Sequence, residues 1–499
     1  MSFRRAASSA LALASSAFLT SAALWASDSI KDAQGFNASG SDKYAKGDLD
    51  GAISDYNQAI QLNPKLAKAY NNRGMAEYDQ GSYTEAIADY DQAIALNPTF
   101  EDAYVNRGLA KDGKDDLDGA IADDNTAIKL EPKDAYAYNN RGWALYRKGD
   151  LDGAIADYNT SIKLEPTVAQ PYNDRGVAER EKGDTAKALA DYTHAIELDP
   201  KNDQAYFNRA VALDDKDDLT GALADYDQAI QLNPKYTDAY INRAEIKDEK
   251  DDWDGAIADF KKALELDPKN STAYNEYGLA WYHKGESNAA TINFTKAIEI
   301  DPRNADAYCN RGNVARAMGK NDAALHDYNQ ALLIDPKCTG GYNGRAIIEQ
   351  AKGDFAAAKK DYAQSLKIDK NDAAVYSNLS SLAEARGDYK SAIAYAEQAV
   401  KLNEDFPQAY NNRGVAEFHS GDVAAALKDY DTALDLDPND EHAYNNRGLA
   451  LQSKGDFEGA LADYDLAIQI NPQFSQAVHN RAWAKWYSGD LVGALTDLF

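Results

Sequence analysis

Cysteine is almost absent from this chain: Cys309 and Cys338 are the only two among 499 residues. Two cysteines cannot frame a fold of this length, so the core has to come from burial rather than from cross-links. Each is read as an incidental replacement, with a bridge between them left open. Histidine is as sparse. His194, His283, His326, His419, His442 and His479 are scattered, and the pair that could face one groove from adjacent units, His442 and His479, supplies two ligands where a zinc site needs more. Neither a metal, nor a cofactor, nor a catalytic constellation is expected. Basic charge is in deficit, with 53 Lys and Arg against 81 Asp and Glu and a net charge of −28. That balance argues against nucleic acid and anionic membrane surfaces as partners. It is read as a solubility device, the alternative being a basic partner. Beyond residue 26 no apolar run is long enough to cross a bilayer.

Residues 1–26 differ from the rest. Arg4 and Arg5 precede an apolar, serine-interrupted stretch to Ala26 that has no acidic residue, the pattern of a secretory signal peptide. Export, to a bacterial periplasm, is the expectation, and an uncleaved N-terminal anchor the alternative.

What the chain has is period. Glu441 to Phe474, EHAYNNRGLALQSKGDFEGALADYDLAIQINPQF, recurs every 34 residues from Ala33 onward. Pro64, Pro98, Pro132, Pro166, Pro200, Pro234, Pro268, Pro302, Pro336, Pro438 and Pro472 fall on that grid, interrupted only at Lys370 and Glu404. Position 20 is alanine in every unit, from Ala52 to Ala494, as a close helix–helix approach requires. Within the unit one apolar stripe runs through Ala443, Tyr444, Leu449 and Ala450, and a second through Phe457, Ala460, Leu461, Tyr464, Ala467 and Ile468. Gly455-Asp456 separates them as a left-handed helix end followed by an N-cap, and Asn471-Pro472 stops the second helix. The pattern predicts an all-α solenoid of helix–turn–helix units.

The unit resembles the tetratricopeptide repeat: an aromatic at position 4 (Tyr444), small residues at 8, 20 and 27 (Gly448, Ala460, Ala467), an aromatic at 24 (Tyr464) and proline at 32 (Pro472). It departs at position 7, where the family usually has leucine and this chain has Arg447 within a Tyr-Asn-Asn-Arg-Gly run. The resemblance implies a right-handed superhelix of about fourteen repeats. A degenerate first repeat falls within 27–66, twelve repeats occupy 67–474, and a partial one 475–499. It implies a non-enzymatic scaffold that binds an extended segment of a partner protein on its concave face, with no small-molecule substrate. The alternative is a structural or assembly subunit acting through its ends and outer face. Position 5 is never lysine, so the family's carboxylate clamp is not expected.

Several rows stand out. Arginine at position 7 (Arg73, Arg107, Arg141, Arg175, Arg209, Arg243, Arg311, Arg345, Arg413, Arg447, Arg481) goes with aspartate at position 23. The two units lacking that aspartate, at Asn293 and Tyr395, are among the three lacking the arginine, at Ser39, Tyr277 and Leu379. A structural Arg–Asp pair within each unit is predicted. Asparagine holds position 6 in ten units: Asn72, Asn106, Asn140, Asn208, Asn242, Asn310, Asn378, Asn412, Asn446 and Asn480. In the family this position faces the inside of the superhelix. The row is either a ladder that bonds a peptide backbone or a set of links to the neighbouring unit. Trp143, Tyr146, Phe207, Tyr282, Phe418, Trp483 and Trp486 are the aromatic groups expected beside it.

Three turns lose glycine and become acidic (112–116, 214–218, 248–252), and are read as solvated turns. The consensus is weakest over 339–406, where early opening is expected near 370–406. The chain stops at Phe499 inside a second helix, which would leave Leu495, Leu498 and Phe499 partly bare. Self-association there is an expectation, unless the natural chain runs on.

Overall fold

Each repeat forms because its two apolar stripes can be buried only against one another and against the next repeat. The computed structural model describes residues 31–498, with side chains to 497. Over that span there are 28 helices and no strand, joined by short turns. The first helix is described over 31–45; the next runs Leu49–Leu62, and the alternation continues to Leu491–Leu498. The helices fall into two compact units, one ending at Arg243 and the other starting at Ala244. Each is a stack of antiparallel helix hairpins, an α-solenoid. The 1–26 segment and Phe499 lie outside the described residues, and among those described no helix is long and apolar enough to cross a membrane.

The hairpin Ala135–Arg147 and Leu151–Leu164 shows how sequence becomes structure. Gly149 takes φ 82° to end the first helix, a conformation costly for residues with a Cβ. Asp150 then caps the second by accepting the Gly153 N–H at 3.0 Å. Ala154 and Tyr158 are fully buried between helices. The Tyr158 ring lies against Gly142, where an added Cβ would approach to 2.8 Å, which explains the small residue at position 8. In the three acidic turns Asp115, Asp217 and Asp251 adopt the left-handed conformation that glycine holds elsewhere, at φ 66°, 63° and 59°.

The weak stretch proves better packed than its lost consensus suggests. Leu379 and Tyr395 meet where other repeats carry Arg and Asp, and they join Ala346, Ala358, Tyr362, Val375 and Leu382 in one apolar cluster. The junction that this cluster spans is otherwise thin. Phe355–Ile368 and Ala373–Ala385 share a sparse contact, and a cavity of about 210 Å³ lies beside Lys359, Leu379, Leu382 and Arg386.

Candidate functional site

The predicted Arg–Asp pair is present and bidentate. Arg73 meets Asp89 at 2.6 and 2.6 Å, Arg141 meets Asp157 at 2.6 and 2.6 Å, and Arg447 meets Asp463 at 2.8 and 2.8 Å. A third arm, which the sequence did not disclose, reaches back to the second helix of the preceding repeat: Arg141 to Asn125 at 2.6 Å, Arg107 to Asp91 at 2.6 Å, Arg481 to Asp465 at 2.7 Å. The guanidinium also lies over the tyrosine three residues before it, at 5.5 Å for Arg141 and Tyr138. An arginine with all three arms engaged thus ties two repeats together, whereas Arg413 holds only Asp429 of its own repeat.

Beside this pair, position 11 is lysine in some repeats, glutamate in others and apolar in the rest. Lys111, Lys247 and Lys485 reach the aspartate at 2.7, 2.7 and 2.9 Å. Glu77, Glu179 and Glu417 instead leave a buried Oε2 without a partner. Burial, and then the adjacent aspartate, push these three carboxyls up to about 7.

The asparagine row links repeats. The Nδ2 of Asn106 donates to Asn71 Oδ1 at 3.0 Å, Asn208 to Asn173 at 2.9 Å, Asn310 to Asn275 at 3.0 Å, Asn378 to Asn343 at 2.9 Å, Asn446 to Asn411 at 3.0 Å and Asn480 to Asn445 at 2.8 Å. Asn72 donates to Asn37 at 3.2 Å and Asn412 to Ser377 Oγ at 2.9 Å. Where position 5 of the preceding repeat offers no acceptor, the link fails. Asn242 follows Phe207 and turns to the Tyr226 hydroxyl at 3.1 Å, while Asn140 follows Val105 and its buried Nδ2 has no partner.

In the first unit the row lines a groove. One recess of about 790 Å³ is bounded by Asn72, Asn106, Asn140, Met75, Val105, Leu109 and Tyr136, with Glu101, Asp102, Glu131 and Asp134 against a single cation, Lys68. Burial, and then the Asp134 carboxyl, push Glu101 up to about 8. A second recess, of about 460 Å³, continues past Asn140 to Trp143, Asp174, Asn208 and Tyr236. Asp174 is buried, which raises its carboxyl to about 6 although Asn139, Gln170 and Asn173 donate to it.

The predicted aromatics divide. Trp143 is 37% exposed and stacks on Tyr146 with ring centroids 5.3 Å apart. Trp483 and Trp486, in the second unit, are exposed at 45% and 50%. Phe207 is occupied by Tyr236 at 4.7 Å, and Tyr282 and Phe418 pack on the buried clusters around Phe294 and Tyr430. Tyr136, 64% exposed at the groove, was missed. Its signal is an aromatic at position 2, which is otherwise small or polar apart from His442. Among the described residues no group of three or more His, Cys, Asp or Glu could hold a metal.

Stacked helix hairpins of 34 residues, tied repeat to repeat by arginine and asparagine, define a helical-repeat solenoid, a fold typical of protein interaction and assembly scaffolds. Tetratricopeptide repeat profiles match residues 40–77, 74–112, 135–168, 173–237, 249–285, 278–319, 305–338, 340–372, 377–441 and 442–474. The chain belongs to the tetratricopeptide repeat family. No curated protein matches it. Among solved structures it is similar to Cut9 in the APC/C hetero-tetramer Cut9–Hcn1, at 15% identity and TM-score 0.52, over 89% of this chain and 95% of that one. Others are MamA, at 30% identity and TM-score 0.30 over 32% and 95%, and yeast Tom70, at 16% and 0.37 over 93% and 99%. The likeness to Cut9 shows the fold.

Proposed function

We propose that this protein is a non-enzymatic scaffold that holds an extended segment of a partner protein in the groove of its first unit, around Asn140. The observation that carries the reading is the break in the amide row. Asn140 alone among the ten asparagines has an Nδ2 without a partner, and it borders the same recesses as the exposed rings of Tyr136 and Trp143. Rotation of the amide toward the recess would bring that donor to a peptide carbonyl, and the two rings would cover the peptide's apolar groups. The acidic lining favours a segment that carries lysine or arginine. The basic residues at Arg4 and Arg5 and the apolar stretch after them support export as the setting. A photo-activatable amino acid at position 136, followed by mass mapping, tests the reading. A discrete partner segment cross-linked from position 136, and not from exposed position 333, is expected. Equal labelling from both sites would overturn it.

A further inference from the structure

Cys309 and Cys338 are 29 residues apart in the chain, yet their Sγ atoms approach to 2.7 Å as free thiols within the second unit. Cys309 is buried in helix Ala305–Ala317, and Cys338, half-buried, precedes helix Thr339–Ala351. They meet where the inter-repeat amide link is missing. In eight repeats an asparagine donates to the residue 35 positions earlier, whereas here those two positions are Gly344 and Cys309. Gly344 has no room for a side chain, since an added Cβ would come within 2.3 Å of the Tyr328 ring. The helix start also has no side-chain cap and carries Gly340 and Gly341.

We propose that Cys309 and Cys338 form a reversible dithiol–disulfide site that supplies the missing link, clamping the start of helix Thr339–Ala351 to the preceding repeat. The oxidant is a low-molecular-weight disulfide. Cys338 is the attacking thiol. The neighbouring Cys309 thiol, and then the Gly341 N–H, hold Cys338 below the ordinary thiol value. The Cys338 thiolate attacks one sulfur of the oxidant, forming a mixed disulfide and releasing one thiolate. Cys309 then gives its proton to solvent and attacks the Cys338 sulfur. The mixed disulfide breaks, and the second half of the oxidant leaves as thiolate. Two protein thiols are oxidised and one small disulfide is reduced to two thiols.

The test incubates the full chain with oxidised glutathione and reads intact mass and peptide maps under denaturing conditions. Loss of two hydrogen masses, with a Cys309–Cys338 cross-link in monomeric protein, is expected. Amide exchange over 339–351 should slow by roughly tenfold relative to protein kept in dithiothreitol. Cys309→Ser should instead retain a single glutathione on Cys338. Wild-type protein that keeps both thiols, accumulates glutathione adducts, forms cross-linked dimers, or closes the bridge with unchanged exchange over 339–351 would overturn the proposal.

Discussion

Arg141 grips Asp157 with two parallel hydrogen bonds of 2.6 Å while its remaining arm reaches Asn125 in the preceding repeat. Asp157 is buried, so removing the cation strands a carboxylate inside the stack. Arg141→Leu should therefore cost about 3 kcal/mol, read as a fall in the urea midpoint. The chain itself contains the apolar alternative, Leu379 with Tyr395. Arg141→Leu combined with Asp157→Tyr should recover most of the loss. A double variant less stable than the single one would show that the pair does not act as a unit.

Glu77, Glu179 and Glu417 set a pH dependence. Their carboxyls sit at about 7 in the folded chain, against an ordinary 4.5, chiefly through burial and then through Asp89, Asp191 and Asp429. The folded state therefore holds protons that the unfolded state has lost. Their favourable contribution is whole below pH 4.5 and disappears as pH rises to about 7. Glu77→Lys places a cation where Lys111 meets Asp123 in the next repeat at 2.7 Å. It should stabilise by on the order of 1 kcal/mol at pH 8, after discounting for residual solvent, and by less at pH 5. Thermal melts at the two pH values check both the sign and the difference.

Asp124 occupies the position-24 slot that Tyr158 fills one repeat later, and is 1% exposed with an unpartnered Oδ1. Burial, followed by the Asp123 charge, drives its carboxyl far above the usual range. Asp124→Tyr should restore the ring that packs on Gly108 and raise stability by about 1–2 kcal/mol at pH 8. An unchanged or lowered melting temperature would mean that the slot has closed around the carboxyl.

Early opening should begin at the sparse junction between Phe355–Ile368 and Ala373–Ala385 rather than inside the hairpin 373–402. Native-state hydrogen exchange should show amides at 369–375 exchanging about tenfold faster than those at 135–200, with Leu379 to Ala383 well protected. Uniform protection across 355–385 would remove the weak joint.

The repeat, its helix–turn–helix form and the Arg–Asp pair were legible because each depends on residue types held at fixed spacing. The pair betrayed itself where Leu379 and Tyr395 replace both partners together. Two links were not legible. The third arm, where it is made, ends on Asn, Asp or Thr, so the acceptor position is fixed while its identity varies. The asparagine links join position 6 to position 5 one repeat earlier, and position 5 looks variable until its Val105 and Phe207 exceptions are seen to leave Asn140 and Asn242 without their usual acceptor. Tyr136 was overlooked because a single departure at one position has no period.

The most direct measurement is binding of arrayed peptides to wild-type protein and to an Asn140→Ala, Trp143→Ala double variant. The groove account predicts that wild-type protein retains extended, lysine- or arginine-bearing peptides. It predicts that the variant loses them by about a hundredfold while its circular dichroism and melting profile stay near wild type. Undiminished binding by a folded variant would contradict it.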